Sequence, residues 1–241
     1  MSKIALINIG LHGHVNPTLA FTTELVRRGH DVLYFAPEEF RTVVERTGAR
    51  FHPYSTNFVT PKGADFKNRM TSMPRRWIED FESTFTLLLD ALASERPDVL
   101  VYDFVSLPGR AIASVTGTPA VKFFTTYASN EHFDLLQTAF RSGGPILPED
   151  IAYFDTEIAQ LAARHGFPAF GFDDIMRHAE PQNLAFMPQS FQPDGETFGS
   201  AFAFVGPCID GLAQQPLLDF QLATDLPLLY ISLGTIFNDQ P

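Results

Sequence analysis

Apolar positions along the chain fall into two patterns. Residues 3–9 (KIALINI), 31–36 (DVLYFA), 51–54, 99–102 and 120–124 are short, largely unbroken apolar runs, as expected of strands covered on both faces of a parallel sheet. Between them lie segments with helical spacing and helical punctuation. Asn16 reads as an N-cap with Pro17 in the first turn, and Leu19, Thr22 and Val26 share a face ahead of Gly29. Residues 37–47 read as a second helix, with Glu38 and Glu39 in its first turn and Gly48 as its stop. A third carries Trp77, Phe81, Phe85, Leu88 and Leu92 at spacings of four and three. A fourth opens on Pro108 and closes at Gly117. Buried runs alternating with capped helices predict an α/β fold, a doubly wound, Rossmann-like parallel sheet with right-handed crossovers.

The remaining segments are less regular. Residues 55–74 hold no sustained period and read as a loop. Past Phe124, Gly143-Gly144-Pro145 breaks the chain, 149–164 reads as a helix ended by Gly166 and Pro168, and 184–187 and 202–205 read as two more strands. Residues 206–226 have few periodic apolar positions and read as an interdomain linker, after which 228–232 (LLYIS) and Leu233-Gly234-Thr235 read as a fresh strand and turn. The expected organisation is one domain over 1–223, linker included, and the first strand and turn of a second, truncated domain over 224–241.

Composition narrows the classes. A chain of 241 residues, 45% of them hydrophobic, can bury a sizeable core. Its net charge of −11 and lack of any basic run exclude a nucleic-acid partner, since phosphate binding needs clustered Lys and Arg. The opening stretch is broken at Gly10 and His12, too early for a signal segment or a membrane span, and the single Cys208 suits a reducing compartment. A cytoplasmic location without membrane contact is the expectation. The 24 phenylalanines point either to aromatic core packing or to an apolar cavity as well. His52, His132, His165 and His178 lack neighbours at metal-ligand spacing, so no metal is expected.

In an open parallel sheet, ligands collect beyond the carboxyl ends of the strands. His14, just after the first run, and Asp103, ending the fourth, fall there. A carboxylate can hold an imidazole in one tautomer and leave its other nitrogen free to accept a proton, so the pair reads as a base and its orienting partner. Capping roles for both residues compete with that reading. Thr125, Thr126 and Ser129 follow the fifth run and could line the same crevice or simply cap a turn. Gly10-x-x-Gly13 is a weak dinucleotide signature, because position 12 holds His where that motif needs Gly.

Gly13-His14-Val15-Asn16-Pro17-Thr18-Leu19, Arg28-Gly29-His30-Asp31-Val32, Pro97-Asp98 through Tyr102-Asp103-Phe104, Phe204-Val205-Gly206-Pro207 and Ile231-Ser232-Leu233-Gly234-Thr235 occur in this order. Together they resemble the macrolide-type UDP-glycosyltransferases of bacteria, which have the two-domain GT-B fold. The resemblance extends over essentially the whole chain, as the family's amino-terminal, acceptor-binding half. It implies inverting transfer of a sugar, glucose above all, from a UDP-sugar to a hydroxyl of a hydrophobic small molecule such as a macrolide or flavonoid. His14 would be the base and Asp103 its partner. Gly13 and Thr235 would approach the donor diphosphate, and Phe58, Trp77, Thr125, Thr126 and Ser129 would contact the acceptor. No cofactor is implied beyond the UDP-sugar as co-substrate.

The family's other donor-binding segments are absent from these residues, so the isolated chain is expected to be inactive, and to self-associate or pair with a donor-domain fragment. Two other classes compete with this reading. One is a non-catalytic module that binds an acceptor or docks on a partner; the other is a dinucleotide oxidoreductase.

Overall fold

A computed structural model describes residues 1–57, 72–136, 138, 146–209, 227, 229 and 231. Seven strands, all parallel, form one sheet: β1 (Lys3–Ile7), β2 (Asp31–Ala36), β3 (Arg50–Pro53), β4 (Val99–Asp103), β5 (Ala120–Phe124), β6 (Gln182–Ala185) and β7 (Phe202–Phe204). Their order across the sheet is β3-β2-β1-β4-β5-β6-β7. The chain therefore winds outward from β1 to β3 and returns to lay β4 against the other side of β1. That reversal makes the crevice between β1 and β4 the switch point at which this kind of sheet places ligands.

The unbroken apolar runs are explained by two cores. Ala5, Ile7, Leu33, Phe35, Leu100 and Tyr102 face one layer, while Ile4, Leu6, Val32, Tyr34 and Val101 face the other. On the second side they meet α1 (His12–Arg27) and α2 (Arg41–Glu45) through Val15 and Val44. The first side is covered by α3 (Met73–Glu95), α4 (Leu107–Thr116) and α5 (Pro148–His165). Trp77, Phe81, Phe85, Leu88 and Leu92 of α3 are all buried there, each contributing about 1.5–3 kcal/mol by leaving water. Gly117 (φ 67°) and Gly166 (φ 80°) end α4 and α5 in the left-handed conformation that a side chain disfavours. A short helix, α6 (Asp174–Arg177), precedes β6.

Local signals misplaced two helix starts. α1 begins at His12 with Leu11 as its N-cap, so Asn16 is not a cap and Pro17 lies inside the helix. Its first turn closes because the Leu11 carbonyl accepts from His14 N at 2.9 Å and Val15 N at 3.0 Å. Similarly, residues 38–40 form a single 3-10 turn before α2, shorter than the helix expected over 37–47. Apart from the exposed Leu229 and Ile231, the 228–235 strand and turn lie outside the described residues, as do the 1–223 boundary and most of the 55–74 loop. No helix among the described residues is long and apolar enough to cross a membrane.

Lys122, in the middle of β5, is 1% exposed. Its ammonium donates to the carbonyls of Ile175 and His178, each at 2.9 Å, and lies 5.0 Å from the centre of the Phe124 ring. Burial, then the positive charge of Arg110, lower its pKa to about 7, against the opposing pull of Glu180 and Asp103. Between that value and the usual 10.5 the unfolded chain binds more protons than the folded one, so this residue makes stability rise with pH across that window. Urea unfolding from pH 7.5 to 9 should show the parent gaining on a Lys122→Met variant by up to about 1.4 kcal/mol per pH unit. Parallel pH dependences would mean that the buried amine keeps its proton.

Candidate functional site

His14 and Asp103 meet at the carboxyl edge of the sheet, each delivered by one of the two strands that flank the switch point. β1 leads into the first turn of α1, where His14 sits, and Asp103 is the last residue of β4. His14 Nδ1 lies 2.7 Å from Asp103 Oδ2. The aspartate side chain is wholly buried, whereas the imidazole keeps 17% of its surface. Asp103 Oδ1 accepts the Val105 N–H at 3.0 Å, so both oxygens are engaged and the carboxylate cannot turn. A carboxylate only accepts hydrogen bonds, which places a proton on Nδ1 and, in the neutral ring, leaves Nε2 as the acceptor. Phe104 stacks on the imidazole at 5.4 Å and 14°, and Phe124 stacks behind Phe104 at 5.5 Å. The ring is held both in its plane and about its axis.

A second set of contacts holds the backbone of His14. Asn8, fully buried directly after β1, donates through Nδ2 to the His14 carbonyl at 3.0 Å and to Tyr34 Oη at 2.8 Å. Thr18 spends its own proton on the Val15 carbonyl at 2.8 Å, so the Tyr34 hydroxyl donates to Thr18 Oγ1. This chain fixes the rotation of α1 about its axis. Tyr54 adds a hydrogen bond to the Asn8 carbonyl at 2.6 Å. Burial pushes the Tyr34 phenol well above its usual range, so it stays neutral and can both donate and accept. Asn8 has a legible signal in the sequence, as the single amide inside the apolar run KIALINI. The run reads as strand throughout, but the strand ends at Ile7.

The other expected site residues divide. Gly13, exposed in the first turn of α1, has an open front: a Cβ built on it would meet nothing within 4 Å. Thr125 and Thr126 are half-buried in the bend after β5, on the same sheet edge as His14. Ser129, by contrast, is buried and its Oγ accepts the Leu135 N–H at 3.0 Å, so it builds a turn. Trp77 also faces inward. Its ring packs edge-on against Phe154 and Phe172, and its Nε1–H donates to the Val105 carbonyl at 3.2 Å. The indole thus supports the Asp103–Val105 turn from behind, with no open face for an acceptor. Phe58 and Thr235 lie outside the described residues. Most phenylalanines serve the core, among them Phe81, Phe85, Phe154 and Phe172. Among the described residues no group of three or more His, Cys, Asp or Glu could hold a metal ion.

Comparison with known proteins bears on this geometry. Residues 4–108 match the model of the glycosyltransferase family 28 N-terminal domain. The NDP-glycosyltransferase YjiC of Bacillus licheniformis is 37% identical over 99% of this chain and 59% of its own length. The demethyllactenocin mycarosyltransferase of Streptomyces fradiae is 32% identical over 100% and 54%. Among solved structures, the calicheamicin glycosyltransferase CalG4 superposes with a TM-score of 0.75 at 30% identity, over 86% of this chain and 53% of that one. The chain thus spans less than two thirds of the relatives it matches. The fold is that of the amino-terminal domain of GT-B glycosyltransferases.

The hydrogen bonds of Asp103 generate a specific expectation. In an Asp103→Asn variant the Val105 N–H would keep the amide oxygen and turn the NH2 toward His14 Nδ1, so the imidazole proton should move to Nε2. Nitrogen-15 NMR of the histidine ring should report an Nδ1–H tautomer in the parent and Nε2–H in the variant. An unchanged Nδ1–H ring in the variant would show that Asp103 does not select the tautomer.

Proposed function

We propose, from the match of residues 4–108 to the glycosyltransferase family 28 N-terminal domain and the similarity of the whole chain to bacterial small-molecule glycosyltransferases, that it holds a hydrophobic, hydroxylated acceptor over His14 and supplies the base for inverting sugar transfer. The observation that carries this reading is the 2.7 Å contact of His14 Nδ1 with a buried carboxylate, which leaves Nε2 uncommitted on a ring that is still partly exposed. In the reaction Nε2 takes the proton of an acceptor hydroxyl while that oxygen attacks the anomeric carbon. The bond from the anomeric carbon to the diphosphate oxygen breaks on the opposite face, and the nucleoside diphosphate leaves with its electron pair. A single displacement of this kind inverts the anomeric centre. The ring nitrogen can act without a metal or a cofactor, with the sugar nucleotide as co-substrate.

The donor is proposed to be a UDP-sugar, glucose in the first instance, and the acceptor a macrolide or a flavonoid. The relatives' names support the broad class: one is a nucleotide-sugar transferase, and another transfers mycarose to demethyllactenocin. Gly13 fits an approach to the diphosphate. In the first turn of a 16-residue helix its N–H points out of the helix and its front is open. Thr125 and Thr126 are proposed to contact the acceptor. The rest of the donor site is assigned to the part of these relatives that the chain does not span, so the chain by itself would bind acceptor without transferring sugar. It would work by pairing with a donor-binding half, in the cytoplasm.

Two measurements test this together. Calorimetric titration of the 241-residue chain with a flavonoid or macrolide should give saturable binding, and titration with UDP-glucose none. Joined to the donor-binding part of the Bacillus licheniformis relative, the chain should transfer glucose, and His14→Ala should lower turnover at least about 100-fold with acceptor affinity retained. Undiminished turnover in that variant would remove His14 as the base. Acceptor binding without any transfer in the joined protein would instead favour a binding module.

A further inference from the structure

A cavity of about 410 Å³ opens on the sheet edge opposite His14, at the amino ends of β5 and β6, between α4 and the segment that runs from α5 to β6. Nothing in the proposed transfer uses it. Its walls are apolar, with Ala113 and Ala120 facing Phe167 and Phe170. Its polar side chains are the hydroxyls of Ser114 and Thr118 and the ionisable groups of Arg110, His178 and Glu180. Glu180 is already engaged, since Oε1 accepts from the Tyr102 hydroxyl at 2.6 Å and lies 3.2 Å from His178 Nε2. Those hydrogen bonds, that of His178 first, keep its carboxyl below the usual range, so it is ionised.

Arg110 is different. Its guanidinium carbon lies over the Phe170 ring, 4.0 Å from the centroid. Of its five N–H donors, only Nη1 reaches an acceptor among the described residues, the Asp174 carbonyl at 3.5 Å. Among the described residues no carboxylate forms an ion pair with it. Behind it lies Lys122, whose two partners are neutral carbonyls. The carboxylates near the guanidinium, Asp174 and Glu180, are already engaged, the first by the Gly171 N–H and the second by Tyr102 and His178, in a chain whose net charge is −11. A half-buried guanidinium with most of its donors unmatched is stabilised by an anion that completes its fork.

We propose that this cavity is a binding site for a small organic carboxylate with an aromatic body, its carboxylate forked by Arg110 and its ring seated against Phe167, Pro168 and Phe170. The fork selects a planar carboxylate, which can take two parallel hydrogen bonds from a guanidinium. Apolar walls reject small hydrated anions, and the volume suits a molecule of one or two rings. Because the site lies at the other end of the strands, its occupation does not require the acceptor crevice.

Benzoate is the probe, with its neutral analogue benzamide and inorganic phosphate as controls. In amide proton–nitrogen spectra of the 241-residue chain, benzoate should shift the resonances of Arg110, Gly117, Thr118 and Ala120 saturably below about 10 mM. Benzamide and phosphate should not. Arg110→Gln should weaken benzoate at least about tenfold, and Arg110→Lys, which keeps charge but loses the fork, should weaken it severalfold. A His14→Ala variant should bind as the parent does, which separates this site from the transfer reading. The proposal is overturned by unsaturated shifts at that concentration, by equal response to benzamide, or by equal response to phosphate. It is also overturned if folded Arg110→Gln, or Arg110→Lys should the first variant not fold, keeps the parent affinity.

Discussion

β1 and β4 lie side by side, and that adjacency brings His14 and Asp103, 89 residues apart in the chain, to a 2.7 Å contact. Neither element alone could do this. β1 aims the first turn of α1, β4 ends on the carboxylate, and only the reversal of strand order after β3 makes the two strands neighbours. The supports around the pair follow from the same adjacency. Val105 locks one Asp103 oxygen, Trp77 holds the Val105 carbonyl, and Phe104, directly after β4, and Phe124 of β5 stack in series on the imidazole.

Much of this was legible in the chain. Strands buried on both faces show as unbroken apolar runs, and α4 and α5 show their ends as Gly117 and Gly166, where the backbone turns left-handed. The His14–Asp103 pairing was legible because both residues directly follow, or end, such runs. What stayed hidden depends on partners distant in sequence. The start of α1 could not be placed locally, because Asn16 and Pro17 imitate a helix start, whereas the real one is held by Asn8 from β1's end and by Leu11. Trp77 and Ser129 are residue types that often line pockets. Only the packing of α3 against Phe154 and Phe172, and the turn closed on Leu135, show that they face inward.

The buried polar groups divide the molecule into two ends. At the carboxyl edge, Asn8, Tyr34, Thr18 and Asp103 are joined by hydrogen bonds that hold one histidine still. Reaching from mid-sheet toward the amino edge, Lys122, Arg110, His178, Glu180 and Tyr102 form a second group, in which Arg110 lacks, among the described residues, the carboxylate partner that Asp103 gives His14. Lys122 stands as a single cation in an apolar run, and on periodicity alone it would be taken for a strand residue with its charge in solvent. Its carbonyl partners come from the turn around α6, more than 50 positions later, which is why the run conceals it. One sheet thus carries polar organisation at both edges, and only one of them coincides with the switch point.

The central claim is that Nε2 of His14 faces the hydroxyl that attacks the sugar. A crystal structure of the 241-residue chain with a bound flavonoid tests it most directly. The account predicts an acceptor hydroxyl oxygen about 2.6–3.2 Å from His14 Nε2, with Nδ1 still on Asp103. An acceptor seated with every hydroxyl beyond that reach, or an Nε2 bonded to the protein itself, would contradict it.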